Sequence, residues 1–389
     1  MKTLKIKFGL FSLLAILAVS VFLTSCEQQE ILTDLQETQL KDYELLTLNP
    51  QEIFDSVKKQ NGNTVQVQLP YNKLHFELEE IHIFDEDMKN PFYTIEKDGS
   101  KTPVEMPEIR FYGNKKGATE TVFMSFFEDE FRLEYTIEGK SYSIVPASDI
   151  LSDQPKGKYI AYDSEELINA NVEMDCFHTE NEESIIDSGN LTLEPSEKAG
   201  YYKLRVGGII DYAMYQYYGQ SGAVNQVLGQ VANANLIFAN NNMNVDIIWG
   251  GGYIDTNNSF NATTETYNST NFWYQWVNWA NGTGSWSRAW NVDNHFVWTG
   301  HWLQNTGGMG QSTACVNRYW ACGFMNMRKA NSGGWAWKNR VLAHEIGHSL
   351  GAYHDSGIMA WNTASGTFSW NSKNQINGHL GWGSSCLHD

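Results

Sequence analysis

Near its C-terminus the chain reads His344-Glu345-Ile346-Gly347-His348-Ser349-Leu350-Gly351-Ala352-Tyr353-His354-Asp355. On an α-helix, His344 and His348 stand one turn apart on the same face, so both imidazoles can reach a single metal ion. Glu345 lies about 100° round from the first of them. From there a carboxylate can take a proton from a water on the metal without itself filling a coordination position. His354 sets the geometry. In a continuing helix it would lie about 9 Å beyond His348 along the axis and about 120° off its face. A shared ion therefore requires the helix to stop. Gly351 is where it can stop, because glycine takes the left-handed conformation that turns a chain back. Histidines merely satisfied in a core, or spread along a solvated helix, do not account for this spacing. Three imidazoles beside one carboxylate suit a hydrolytic zinc site, with Zn²⁺ as cofactor.

Taken alone, Met359 in Ser356-Gly357-Ile358-Met359-Ala360 would fill a gap in a core. After three such histidines it resembles the Met-turn of the metzincin metalloproteases, in which a methionine floors the zinc. Asp355, directly after the third histidine, resembles the reprolysin or adamalysin branch (peptidase family M12B), where the aspartate anchors the turn rather than binding metal. Only four residues separate His354 from Met359, a shorter connection than the cysteine-containing one usual in animal reprolysins. The resemblance implies a zinc endopeptidase acting on protein or peptide substrates. His344, His348 and His354 would be its ligands and Glu345 its catalytic base. It also implies an α/β (α+β) catalytic domain, with a mixed twisted sheet and an active-site helix, preceded by a β-rich propeptide domain.

The elements that must position these residues can be read from periodicity. Tyr201-Tyr202-Lys203-Leu204-Arg205-Val206-Gly207-Gly208-Ile209-Ile210-Asp211 reads as a buried strand. Helical spacing follows at Val224, Val227, Leu228, Val231 and Phe238, and stops in Asn240-Asn241-Asn242. Further strands are expected at Asn244-Val245-Asp246-Ile247-Ile248-Trp249 and Phe296-Val297-Trp298, with a helix over about 270–280. This order is similar to the reprolysin catalytic domain, placed here at residues 201–389. By the same resemblance, residues 307–315 correspond to the edge strand on which an extended substrate adds as one more strand, and residues 360–369 line the main specificity pocket.

Charge is unevenly divided. Residues 201–389 carry nine Lys and Arg against eight Asp and Glu, leaving 18 basic and 37 acidic residues for the first 200. All 14 tryptophans also fall after residue 200. Two domains of different composition follow. With no basic patch to neutralise phosphates, nucleic acid is excluded as a partner. Within the acidic half, Thr64-Val65-Gln66-Val67-Gln68-Leu69, Leu74-His75-Phe76-Glu77-Leu78 and Ser141-Tyr142-Ser143-Ile144-Val145 alternate as strands do, with turns such as Asp98-Gly99 between them. Residues 117–126, with Glu138-Gly139-Lys140-Ser141-Tyr142 and Pro146, are similar to the reprolysin propeptide. The alternative is an unrelated β-sandwich used for binding.

The N-terminus reads as export machinery. Lys2, Lys5 and Lys7 precede an apolar stretch over about 8–22, too short and too early to span a membrane, which ends in Leu23-Thr24-Ser25-Cys26. This resembles a bacterial lipobox. Cleavage before Cys26 and its acylation would tether the chain to a membrane outside the cytoplasm, at the outer membrane or cell surface; an ordinary secretory signal is the alternative. The expected division is a signal peptide (1–25), an acidic tether (26–62), a β-rich prodomain (63–162), a linker (163–200) and the catalytic domain (201–389).

Cys176 in the linker is a candidate zymogen switch, since a thiolate is a good fourth zinc ligand. Asp175 could do the same. A disulfide or a free thiol at Cys176 stays open. Activation would then need a protease to cut the linker, with Lys198 a plausible site. Cys315, Cys322 and Cys386 remain, in an exported protein where disulfides persist. The resemblance implies Cys315 to Cys386, and Cys315 to Cys322 stays open. Calcium, bound by some relatives, is possible but not supported: Asp293 could serve, yet the first-strand position expected to be acidic is Lys203 or Leu204. A different class of function is a non-catalytic surface lipoprotein that binds glycans or host proteins through its aromatic residues. Large aromatics more often fill cores, and binding alone has no use for Glu345 among three ligands.

Overall fold

The structure is a computed structural model and describes residues 40–60, 64–69, 74–96, 98–114, 120–127, 130–151, 154–170, 202–262, 269–285, 292–301, 303, 306–311, 321–327, 334–360, 365–383 and 387. Cys26, Asp175, Cys176, Lys198, Cys315 and Cys386 lie outside the described residues.

The alternating runs of the N-terminal half pair into an antiparallel sheet of eight strands. In chain order these are β1 (Tyr43–Thr47), β2 (Thr64–Gln68), β3 (His75–Glu80), β6 (Ile109–Gly113), β7 (Val122–Phe127), β8 (Glu130–Ile137), β9 (Lys140–Pro146) and β10 (Lys158–Asp163). Their spatial order is β1-β10-β9-β8-β7-β6-β3-β2. Two residues, Glu138 (φ 53°) and Gly139 (φ 78°), join β8 to β9. Positive φ at both central positions is what a tight hairpin needs to match the twist of its strands. Helix α1 (Pro50–Lys58) starts on an Asn49 cap whose side chain accepts from the Glu52 N–H, with proline in its first turn. Its Phe54 and Val57 cover one face of the sheet, together with Phe131, Leu133 and Tyr135 from β8.

The C-terminal half builds a second sheet on β11 (Tyr202–Ile210), β12 (Val245–Asp255), β13 (Asn294–Thr299), β14 (Gly308–Met309) and β15 (Cys322–Asn326). Its order is β14-β15-β13-β11-β12 followed by β4 (Phe92–Ile95) and β5 (Lys101–Pro103), with β14 antiparallel at one edge. Helices α3 (Tyr212–Asn240) and α5 (Gly334–Ser349) lie between the two sheets and share one core with both. Helix α4 (Ser269–Asn281) covers the outer face of the second sheet with Phe272, Trp273 and Trp276. The short α2 (Ser164–Ala170) and the C-terminal α6 (Trp370–Gly383) complete the described elements. The layers are therefore α1, sheet, α3 with α5, sheet, α4. Trp249, Trp273, Trp276 and Trp298 are among the largest fully buried side chains, so these aromatics serve as core.

The last two strands of the second sheet come from the other half of the sequence. β4 (Phe92–Ile95) and β5 (Lys101–Pro103) form a hairpin through Asp98-Gly99, and β4 runs parallel to β12, pairing Phe92 with Gly252 and Ile95 with Asp255. The second sheet thus crosses the boundary that composition places at 163–200. Among the described residues, no helix is long and apolar enough to cross a membrane.

Candidate metal centre and active site

All sixteen residues of α5 are buried, an environment in which polar groups need defined partners. His344 and His348 stack one turn apart, with ring centroids 4.6 Å from each other. Each ring is anchored through Nδ1: His344 on the Ile358 carbonyl at 2.7 Å, His348 on the Ala352 carbonyl at 2.8 Å. A carbonyl only accepts, so both Nδ1 atoms carry the proton and both Nε2 atoms of the neutral rings present lone pairs.

The helix stops where the sequence requires. Gly351 sits at φ +86°, its N–H bonds to the His348 carbonyl at 2.8 Å, and the Ala352 N–H reaches back to the Gly347 carbonyl at 2.9 Å. This pair of bonds is a Schellman cap. The turn returns His354 to the other two rings, its Nε2 lying 3.2 Å from that of His348, while the Nε2 atoms of His344 and His348 are 3.0 Å apart. Lone pairs of two anchored imidazoles cannot bond to each other at such a distance. A cation between them resolves the conflict. Zinc bonded at 2.0–2.1 Å with tetrahedral angles holds its nitrogens about 3.3 Å apart, so the donor set fits that ion. Among the described residues these three histidines form the one group able to hold a metal.

Met359 is fully buried below the site. A Cβ built on Gly347 would come within 2.6 Å of the Met359 sulfur and 3.1 Å of Phe368, so the glycine between the two helical histidines is what lets the methionine approach. Gly357 (φ +73°) turns the chain, and the Ile358 N–H pairs with the Thr367 carbonyl at 2.8 Å. Asp355 accepts from the Ser356 N–H and from the hydroxyls of Ser369 and Ser372. Against the opposing effect of burial, those bonds hold its carboxyl below the usual carboxylate range. Asp355 thus fastens the turn to the start of α6.

Glu345 is buried and faces the edge strand. A Cβ on Gly308 would lie 2.8 Å from Glu345 Cγ and 2.9 Å from its Oε1, and one on Gly310 would strike the Glu345 backbone. Gly308 in β14 and Gly310 directly after it therefore let the edge strand lie directly over α5. Sequence reasoning missed Asn294, whose amide donates to Ser349 Oγ at 2.6 Å, while that hydroxyl donates to the Glu345 carbonyl at 3.0 Å. This ties α5 to the start of β13. It also missed the buried polar contacts at the other end of α5. Arg340 donates to Ser141 Oγ at 2.7 Å and to Glu134 Oε1 at 3.4 Å, and Lys338 lies 4.9 Å from the Trp335 ring. Burial pushes the Glu134 carboxyl up, opposed by the Arg340 charge, and pulls the Lys338 ammonium down to about 7. No local pattern signals the partners of Arg340, because they lie about 200 residues away in the sequence. At the position considered for calcium, Asp293 accepts from the Arg205 N–H at 2.8 Å and the Arg205 side chain pairs with Asp85 at 2.9 Å, so a cationic side chain stands close by.

Residues 204–379 match the reprolysin model of metallo-peptidase family M12. No curated protein matches the chain. Among solved structures, metalloproteinase-II from Bacteroides fragilis is similar with a TM-score of 0.54, at 11% identity, covering 88% of this chain and 97% of that one. At that identity the likeness is one of fold, and its reach takes in both halves of the chain. The structure of a chaperone–substrate complex matches at a TM-score of 0.37 and 15% identity, over 48% of this chain and 35% of that one, which carries no argument. The segment 204–379 is therefore similar to the reprolysin domains of metallo-peptidase family M12, and the three-histidine cluster lies within it.

Proposed function

We propose that this protein is a zinc endopeptidase that cleaves proteins outside the cytoplasm and is made as a zymogen. The observation that carries the reading is the convergence of three imidazole Nε2 atoms, two of them fixed as lone-pair donors, beside a buried glutamate under a sheet edge. Zinc bound there supplies a Lewis acid that polarises the substrate carbonyl and acidifies water. An extended substrate pairs with β14, whose main chain holds it in register. Glu345 removes the proton of the attacking water and passes it to the departing amine nitrogen. Met359 and the Asp355 bonds to Ser369 and Ser372 keep the third histidine in place.

Export follows from the N-terminal segment, with lipidation at Cys26 as the tether. Cys176 or Asp175 supplies the inhibitory ligand, a cut near Lys198 by an activating protease relieves it, and Cys315 pairs with Cys386. The experiment takes the full mature chain with its 171–200 linker cut, and measures bound zinc and hydrolysis of an unfolded protein, wild type beside Glu345→Ala. Both forms should hold a full complement of zinc and only the wild type should cleave. Equal cleavage by the two, or none by wild type with zinc fully bound, overturns the proposal.

A further inference from the structure

We infer that the N-terminal half does not leave when the linker is cut, and that the protein persists as two chains joined through one sheet. This builds on the activation step proposed above, but its grounds are separate. β12 is buried at ten of its eleven residues, all but Asp246, and between Asp246 and Asp255 it holds neither a charge nor a proline. A strand of that kind left as a bare edge is a template for aggregation, and proteins protect such edges. Here the protection is residues 83–104. The Trp249 N–H bonds to the Ile83 carbonyl at 2.7 Å, the Gly252 N–H bonds to the Pro91 carbonyl at 3.0 Å, and the ladder continues through β4 to Asp255.

Side chains follow the same line. Phe92 is fully buried and stacks on Trp249 with centroids 4.8 Å apart, and the Trp249 indole donates to the Pro91 carbonyl at 2.9 Å. Losing the N-terminal half would strip β12 of its hydrogen-bond partners, open one side of a core tryptophan, and expose the α5 surface that Arg340 and Lys338 share with the first sheet. What an excised propeptide would normally contribute only once, this segment contributes permanently as the outer strands of the catalytic sheet.

The test places a sequence-specific protease site in the linker of the otherwise unchanged mature chain, cuts it under native conditions, and passes the product over a sizing column. Both fragments should elute together, in equal amounts, at the position of the uncut chain, and part only in denaturant. Where the inserted site resists cutting, the two halves are expressed as separate chains, and recovery of an equimolar pair is the same test. Separate elution, or precipitation of the C-terminal fragment alone, overturns the inference. Zinc content and hydrolysis measured on the co-eluting sample keep the two ideas apart: a joined pair that holds zinc but does not cleave refutes the proteolytic reading and leaves this one standing.

Discussion

The two ends of helix α5 are equally buried and both carry polar side chains, yet they do opposite things. At its start, Arg340 meets Glu134, Glu165 and Ser141 of the N-terminal half, and Lys338 lies against Trp335. Unlike groups face each other there, and the result is attachment. At its end, His344 and His348 are anchored behind and turn like groups toward one another, with His354 brought in to join them. Like groups converging in a largely buried site demand a third party, and the result is a place for a cation. Burial alone therefore separates nothing. The sign of the partner does.

Substitutions at the two ends should consequently fail in different assays. Glu345→Ala should lower hydrolysis by about 10²–10⁴-fold, the scale of a lost general base, with zinc content and melting temperature unchanged. A large fall in melting temperature alongside would show that the chemical end is also structural, and would break the contrast. Arg340→Met should do the reverse. It strands Glu134 in a buried site, so denaturant unfolding should show a loss of about 3–5 kcal/mol, while cleavage per bound zinc is retained. Adding Glu134→Gln should recover much of that loss; no recovery would mean that the pairing is not what holds the seam. Gly351→Ala sits between the two ends in effect. A left-handed alanine costs about 1–2 kcal/mol, and strain in the turn that carries His354 should appear as weaker zinc retention against a chelator.

The smallest effect concerns pH. The Lys338 ammonium is drawn from its ordinary 10.5 to about 7, first by burial and further by Arg132, with Asp149 opposing. Between those two values the folded chain holds fewer protons than the unfolded one, so stability rises with pH through that window and is flat, for this group, below about 7. Lys338→Met should remove that slope in unfolding curves taken at pH 6, 8 and 10. An unchanged slope would assign it to other groups.

The metal site was almost wholly legible because it is local. Sixteen consecutive residues hold the three histidines, Glu345, the helix stop and the methionine, and the conformation of Gly351 follows from what a shared ion demands. The surroundings were less so. Along β8 the order Phe131-Arg132-Leu133-Glu134-Tyr135 reads as one buried and one solvated face, yet Arg132 and Glu134 are buried too, because α5 covers the second face. Helix α3 begins at Tyr212, twelve residues before its clear apolar spacing, on an Asp211 cap whose carboxylate accepts from the Met214 N–H at 2.8 Å. Four aromatic-rich residues at β4 gave no hint of their partner, since parallel pairing across such a separation leaves no pattern in either strand.

That pairing has a bearing on how the chain comes to be folded. Phe92 and Gly252 are 160 residues apart, and contacts between remote segments are slow to form because a long loop must close first. Synthesis delivers the hairpin well before the strand it will border. The second sheet can only be finished once most of the polypeptide has emerged, and His354 arrives about a hundred residues later still. A molecule interrupted before residue 354 would own the template but not the third histidine, which places completion of the metal cluster after every described strand of both sheets has been made.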